Sequence, residues 1–159
     1  MLPTPDIADQ YPDRVVALEL QFVNAGGIEA FKGEAVTVKC FEDNSVVKEL
    51  VSQPGEGRVI VVDGGASLRR ALLGDMLAAK AREHGWSGLV INGAVRDVDQ
   101  LRAEKLGVKC LGVIPLKTDK LGVGQQGIAL HFGGARIEPG NWIYADNNGV
   151  LVADGELEI

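Results

Sequence analysis

Residues 58–105 read RVIVVDGGASLRRALLGDMLAAKAREHGWSGLVINGAVRDVDQLRAEK, and the order of patterns within this stretch decides the fold. Arg58 to Val62 is a continuous apolar, β-branched run, the composition of a buried strand. Asp63-Gly64-Gly65 then turns the chain. Ser67 to Glu83 has helical composition, but Gly74 in its middle costs about 1 kcal/mol relative to alanine. The run is therefore divided, with Leu68 to Leu73 extended and Asp75 as the N-cap of a helix that ends at Gly85. Gly88 to Ile91 is a second apolar strand, and Arg96 to Lys105 a short helix after it. Strand, helix, strand, helix is a βαβ rhythm, which predicts an α/β fold.

The flanking sequence extends this pattern. Upstream, Glu34 to Cys40 alternates and is β-branched, as a strand should be. Asn44 can cap a helix through Ser52, which Pro54-Gly55 stops. Thr4-Pro5-Asp6 reads as an N-cap, a first-turn proline and an early acid, opening a helix through Tyr11. Downstream, strands are expected at Val108 to Ile114, Ile128 to Phe132 and Asn141 to Ala145. Asn147-Asn148-Gly149 is a hairpin turn leading into Val150 to Ala153. No linker, repeat or low-complexity stretch interrupts residues 1–159, so one mixed α/β domain with an all-β C-terminal third is expected.

Hydrophobic residues make up 46% of the 159 and charged residues 24%, which suits a chain that buries a core. The 21 glycines are scattered without a period, so many tight turns follow. Net charge is −6, and the 16 Lys and Arg form no long basic run. Direct nucleic-acid binding is not expected. No apolar run reaches the roughly 18 residues of a membrane span, and the N-terminus has no leader pattern, so a cytoplasmic protein without membrane contact is expected. Cys40 and Cys110, isolated and in apolar surroundings, read as buried reduced thiols.

Three residues suggest chemistry: Asp75, and the adjacent pair Arg96 and Asp97. All three follow strands, where ligands bind in open α/β sheets. The backbone of Met76, Leu77 and Ala78 would offer donors to an anion. Arg96 carries a planar fork suited to bidentate capture of a carboxylate. Asp97 could hold a hard cation such as Mg²⁺, which takes only one or two protein carboxylates. Helix capping and ordinary solvation account for the same residues without any ligand. His84, at a helix end, and His131, in a strand, read as structural. Trp86 and Trp142 read as core or interface anchors. Asp63-Gly64-Gly65 and Asp146 to Gly149 are explained as turns, and Arg69 and Arg70 as solvated or paired residues.

Several segments taken together resemble a known family. Val36 to Asn44 (VTVKCFEDN), Arg58 to Gly65, Leu68 to Leu73, Gly88 to Val95 and Tyr144-Ala145-Asp146-Asn147 are similar to the regulator of ribonuclease activity A family. That family includes the 4-hydroxy-4-methyl-2-oxoglutarate aldolases. The aldolase pattern of Asp, twenty residues, Arg-Asp, two residues, then an acid is met by Asp75, Arg96 and Asp97, while Gln100 stands at the final position. The resemblance implies a β/β/α swivelling domain in a homotrimer with sites at subunit boundaries. It implies Asp97 as ligand to a divalent metal, Mg²⁺ first and Mn²⁺ second, and Arg96 as anchor of the substrate carboxylate. Gly74-Asp75-Met76-Leu77 would be the loop whose backbone holds a small 2-oxo diacid. The implied reaction is cleavage to two pyruvates, with oxaloacetate decarboxylation through a shared enolate and Asp75 as candidate for proton transfer. The family name implies another role, a non-enzymatic regulator that binds ribonuclease E.

Overall fold

A computed structural model describes residues 1–159. Its helices are α1 (Thr4–Gln10), α2 (Ser45–Val51), α3 (Asp75–Glu83) and α4 (Val98–Ala103). The strands before α3 are β1 (Val15–Ala17), β2 (Val23–Asn24), β3 (Phe31–Lys39), β4 (Val59–Asp63) and β5 (Ala71–Leu73). Next come β6 (Gly88–Asn92), β7 (Ala94–Val95), β8 (Gly107–Cys110), β9 (Gly112–Val113) and β10 (Gln125–Gln126). The chain ends with β11 (Leu130–Phe132), β12 (Ala135–Ile137), β13 (Trp142–Asp146) and β14 (Gly149–Ala153). This is the expected mixed α/β fold, with an all-β C-terminal third.

The main sheet runs β1-β14-β13-β3-β4-β6-β8-β2, with β10 on β3. Its centre, β3-β4-β6-β8, is parallel, and α2, α3 and α4 lie on the crossovers. Alternation in β4 and β6 divides the core between the two faces. Ile60, Val62, Leu89 and Ile91 pack with Val47, Leu50, Ala78, Ala81 and Leu101 of the helices. Val59, Val61 and Val90 pack on the other side with Leu130, Ile137, Ile143 and Val152. Burial on both faces explains why these strands are apolar without a break.

A smaller parallel sheet, β5-β7-β9, positions the site. Each of its strands follows a main-sheet strand: β5 follows β4, β7 follows β6 and β9 follows β8. Leu73 is in register with Val95, and the Arg96 N–H donates to the Leu73 carbonyl at 2.9 Å. The parallel pairing sets the ends of β5 and β7 side by side. The chain after β9 folds back, and the Ala71 N–H donates to the Leu116 carbonyl at 2.7 Å.

Four expectations are corrected. The extended segment narrows from Leu68–Leu73 to Ala71–Leu73. Val108–Ile114 is two strands in different sheets, because Leu111 leaves the main sheet and its N–H donates to the Gly93 carbonyl at 2.9 Å. The fourth helix starts at Val98, so Arg96 lies outside it. Thr4 lies within α1 rather than capping it, and its hydroxyl bonds to Asp146 at 2.7 Å. No helix is long and apolar enough to cross a membrane.

Candidate active site at the ends of β5 and β7

Gly74, Asp75, Met76, Leu77, Arg96 and Asp97 line one cleft of about 160 Å³, together with Asn44, Lys48, Lys117 and Lys120. The structure thus brings Asp75, Arg96 and Asp97 of the spacing motif together, whereas Gln100, at the motif's last position, lies in α4 and does not line the cleft. Asp75 is the first residue of α3, not its cap; Gly74 holds the N-cap position in extended conformation. Alanine would adopt that backbone readily, so what glycine provides at position 74 is space beside the Asp97 and Arg96 side chains. A Cβ there would lie 2.7 Å from Asp97 Oδ2 and 3.5 Å from Arg96 Nε.

Asp97 is the N-cap residue of α4, in the left-handed region with φ 58° and ψ 43°. Aspartate tolerates this conformation better than most residues, yet it is uncommon and costly outside glycine. Its carboxylate makes no cap bond to α4. Instead Oδ2 accepts the Asp75 N–H at 3.0 Å, joining the start of α4 to the start of α3. Oδ1 has no hydrogen-bond partner in the chain, and the side chain lines the cleft and is 33% exposed.

The donors of α3 differ from expectation at one position. The Ala78 N–H donates to the Gly74 carbonyl at 3.1 Å and is spent within the helix. The Asp75 N–H is taken by Asp97. Met76 and Leu77 N–H have no partner within the chain. They are the donors left for an anion, reinforced by the positive end of the helix dipole. The Arg96 guanidinium makes no hydrogen bond and stands 3.9 Å from Asp97 Oδ2, a loose ion pair. Its fork remains available for a carboxylate.

No group of three or more His, Cys, Asp or Glu side chains converges anywhere in the chain. A site for zinc or another ion that demands a full set of protein ligands is therefore absent from one chain. A single unbonded carboxylate oxygen does fit Mg²⁺ or Mn²⁺, which retain waters and take up substrate oxygens. Asp97 is the residue that would hold it.

Sequence reasoning missed Asn44, Lys48, Lys117 and Lys120. They come from α2 and the residue that precedes it, and from the segment after β9, and no spacing in the sequence links them. Most of the polar residues set aside have structural partners. His84 Nδ1 lies 2.8 Å from the Lys80 carbonyl at the end of α3, and His131 is exposed in β11. Asp63 Oδ1 accepts from Gly65 and Asn92, each at 3.0 Å. Arg69 pairs with Glu42 at 2.7 Å, and Arg70 donates to the Lys117 carbonyl at 3.3 Å. Trp86 is in the core beneath Arg58. Cys40 and Cys110 are buried and unpaired. Burial, with Asp43 and Asp63 nearby, pushes the Cys40 thiol up to about 12; burial pushes that of Cys110 up to about 11.

Comparison with known proteins shows what the whole chain is similar to. A protein of Pseudomonas fluorescens SBW25, provisionally named 4-hydroxy-4-methyl-2-oxoglutarate aldolase, is 56% identical over 98% of this chain and 96% of its own. One of Pseudomonas putida GB-1 with the same provisional name is 57% identical over the same shares. A solved structure from Geobacillus kaustophilus HTA426, described as an S-adenosylmethionine: 2-dimethylmenaquinone methyltransferase, matches with TM-score 0.96 at 44% identity. That match covers 98% of this chain and 97% of the other. The RNA-processing inhibitor RraA of Thermus thermophilis also matches with TM-score 0.96, at 39% identity over 99% of this chain and 96% of its own. The pattern of the RraA-like family, described as Aldolase/RraA, matches residues 4–152, and the chain belongs to that family.

Proposed function

We propose that the protein is a carbon–carbon lyase, a divalent-metal-dependent aldolase that cleaves 4-hydroxy-4-methyl-2-oxoglutarate into two pyruvates. Oxaloacetate decarboxylation is its proposed second activity. The observation that carries this reading is the join across Gly74. Residues with an unbonded guanidinium, two unpartnered helix N–H groups and an Asp97 carboxylate with one oxygen unbonded line one small cleft. The provisional name shared by relatives above 50% identity agrees with it.

In this mechanism Arg96 binds the C1 carboxylate through its fork, and the Met76 and Leu77 N–H groups fix the same end of the substrate. Asp97 holds the divalent cation. When bound, that cation supplies Lewis-acid stabilisation of the charge that develops at the 2-oxo oxygen. Asp75, exposed at the head of α3, takes the proton of the C4 hydroxyl. The C3–C4 bond breaks, C4 becomes the carbonyl of one pyruvate, and the electron pair passes into the enolate of the other. Protonation at C3 completes it. Oxaloacetate loses CO₂ to give the same enolate, so both activities require Arg96. A homotrimer in the cytoplasm is the proposed form.

Pyruvate release from both substrates, followed with a coupled dehydrogenase, tests this reading. Turnover with Mg²⁺ or Mn²⁺ that a chelator abolishes is expected. Turnover no faster than metal ion alone contradicts it. The second reading is restraint of ribonuclease E, favoured by the match to the Thermus inhibitor. Its acidic chain could contact a basic partner surface. Direct binding to purified ribonuclease E distinguishes it.

A further inference from the structure

Two asparagines of the chain are followed by glycine, Asn92 and Asn148. Glycine has no Cβ to hinder attack by its own main-chain nitrogen on the preceding side-chain amide, so such a pair can react with itself. The reaction needs a solvated pair with room to move, because the nitrogen must lose its proton and close onto the amide carbon. The fold treats the two asparagines oppositely.

Asn92 ends β6 and is 5% exposed. Its Nδ2 donates to Asp63 Oδ1 at 3.0 Å, and its carbonyl accepts the Gly64 and Ala66 N–H groups at 3.0 and 3.2 Å. A Cβ on Gly93 would lie 3.0 Å from Leu72 Cδ1, and the Gly93 carbonyl accepts the Leu111 N–H at 2.9 Å. This pair is locked in place. Asn148, by contrast, is exposed in the short turn between β13 and β14, whose pairing closes at Asp146 and Gly149. Gly149 has φ 142°, a conformation that side chains rarely adopt, so the turn itself calls for glycine after Asn148. A Cβ built on Gly149 would meet no atom within 4 Å, so nothing crowds the turn there.

We infer that Asn148-Gly149 is a site of spontaneous deamidation in the folded protein, with the turn supplying the nucleophile and water as the co-reactant. The Gly149 nitrogen gives its proton to solvent base and bonds to Asn148 Cγ; the Cγ–Nδ2 bond breaks and ammonia leaves. Water then opens the cyclic imide. Opening at Cγ gives aspartate, and opening at the main-chain carbonyl gives isoaspartate, which routes the backbone through Cβ. The net change is exchange of ammonia for water, and either product is a new carboxylate beside Asp146.

The change reaches α1 through Asp146. Its Oδ1 accepts the Asn148 N–H at 2.8 Å and the Thr4 hydroxyl at 2.7 Å, and its Oδ2 accepts the Thr4 N–H at 2.7 Å. Burial would raise the Asp146 pKa, but the bonds from Thr4 and Asn148 hold it below the usual carboxylate range. A second carboxylate at position 148 repels the first, and the hold on the first residue of α1 weakens.

The test holds native protein and protein unfolded in guanidinium chloride side by side at mildly alkaline pH, with peptide mass mapping and isoaspartate labelling over time. In folded protein Asn148 should convert at least about tenfold faster than Asn92, which waits for local opening of the sheet. In denaturant the two should convert at similar rates. Converted native protein should melt at a lower temperature than fresh protein, while Asn148→Ser, which has no amide to lose, should gain no isoaspartate in the turn and keep its Tm through the same incubation. Conversion at both sites in denaturant with none at Asn148 in folded protein, or equal rates at the two sites in folded protein, overturns the site. An unchanged Tm after conversion overturns the link to α1.

Discussion

Gly74 adopts a backbone conformation open to any residue, so replacing it tests space alone. Gly74→Ala would press a methyl against Asp97 Oδ2 and Arg96. The expected result is at least about a tenfold fall in kcat/KM from a displacement of a few tenths of an ångström, with Tm nearly unchanged. Steady-state kinetics beside thermal melts check it. At Asp97 two substitutions separate backbone from charge. Asp97→Asn keeps tolerance of the left-handed conformation and an acceptor for the Asp75 N–H, whereas Asp97→Ala loses both and should cost about 1–3 kcal/mol in denaturant unfolding. Both should lose metal-dependent turnover. Asp75, Arg96 and Asp97 were legible in the sequence because each sits just beyond a recognisable strand. Lys48, Lys117 and Lys120 were not, since tertiary folding alone brings α2 to the segment after β9.

At the level of elements, a clamp around Asp43 joins the start of α2 to the loop that follows β9. Burial would raise the Asp43 pKa, but the hydrogen bonds from Ser45, Val123 and Leu121 outweigh it and hold the group down at about 2, below its usual 3.8. A carboxylate with a depressed folded-state pKa stabilises the protein above its unfolded value, and that stabilisation is lost as pH falls through the folded value. The Tm advantage of native protein over Asp43→Asn should therefore be full above pH 4 and shrink between about 4 and 2. An advantage independent of pH would contradict this account of the clamp. The main strands were legible because apolar runs covered on both faces leave a strong signal. Of the small sheet, β5 was legible only as part of an extended Leu68–Leu73 and β9 only inside one longer strand, while β7, two residues long, left no periodicity of its own. Their pairing depends on where β4, β6 and β8 deliver the chain. The shifted start of α4 has the same origin: Asp97 is drawn toward α3 instead of capping its own helix.

Across the whole molecule, two clusters of apolar side chains on opposite faces of one sheet fix the platform on which the small sheet stands. Ile60, fully buried on the helix side, is a test of that platform: Ile60→Ala should destabilise by about 2–5 kcal/mol in denaturant unfolding. Both thiols are buried with raised pKa values, so a thiol reagent should modify neither Cys40 nor Cys110 in native protein and both after unfolding. The proposed trimer predicts a solution mass three times the 16.9 kDa of the chain, measurable by light scattering. The central claim is that one cleft, built at the ends of β5 and β7, performs metal-dependent pyruvate release. It is tested most directly by assaying pyruvate from 4-hydroxy-4-methyl-2-oxoglutarate with Mg²⁺, for native protein, Arg96→Ala and Asp97→Asn, each verified as folded. Native turnover that chelator removes, and that both substitutions reduce by at least about a hundredfold, is the predicted result. Native turnover at the rate of free metal ion, or full activity in either variant, would contradict it.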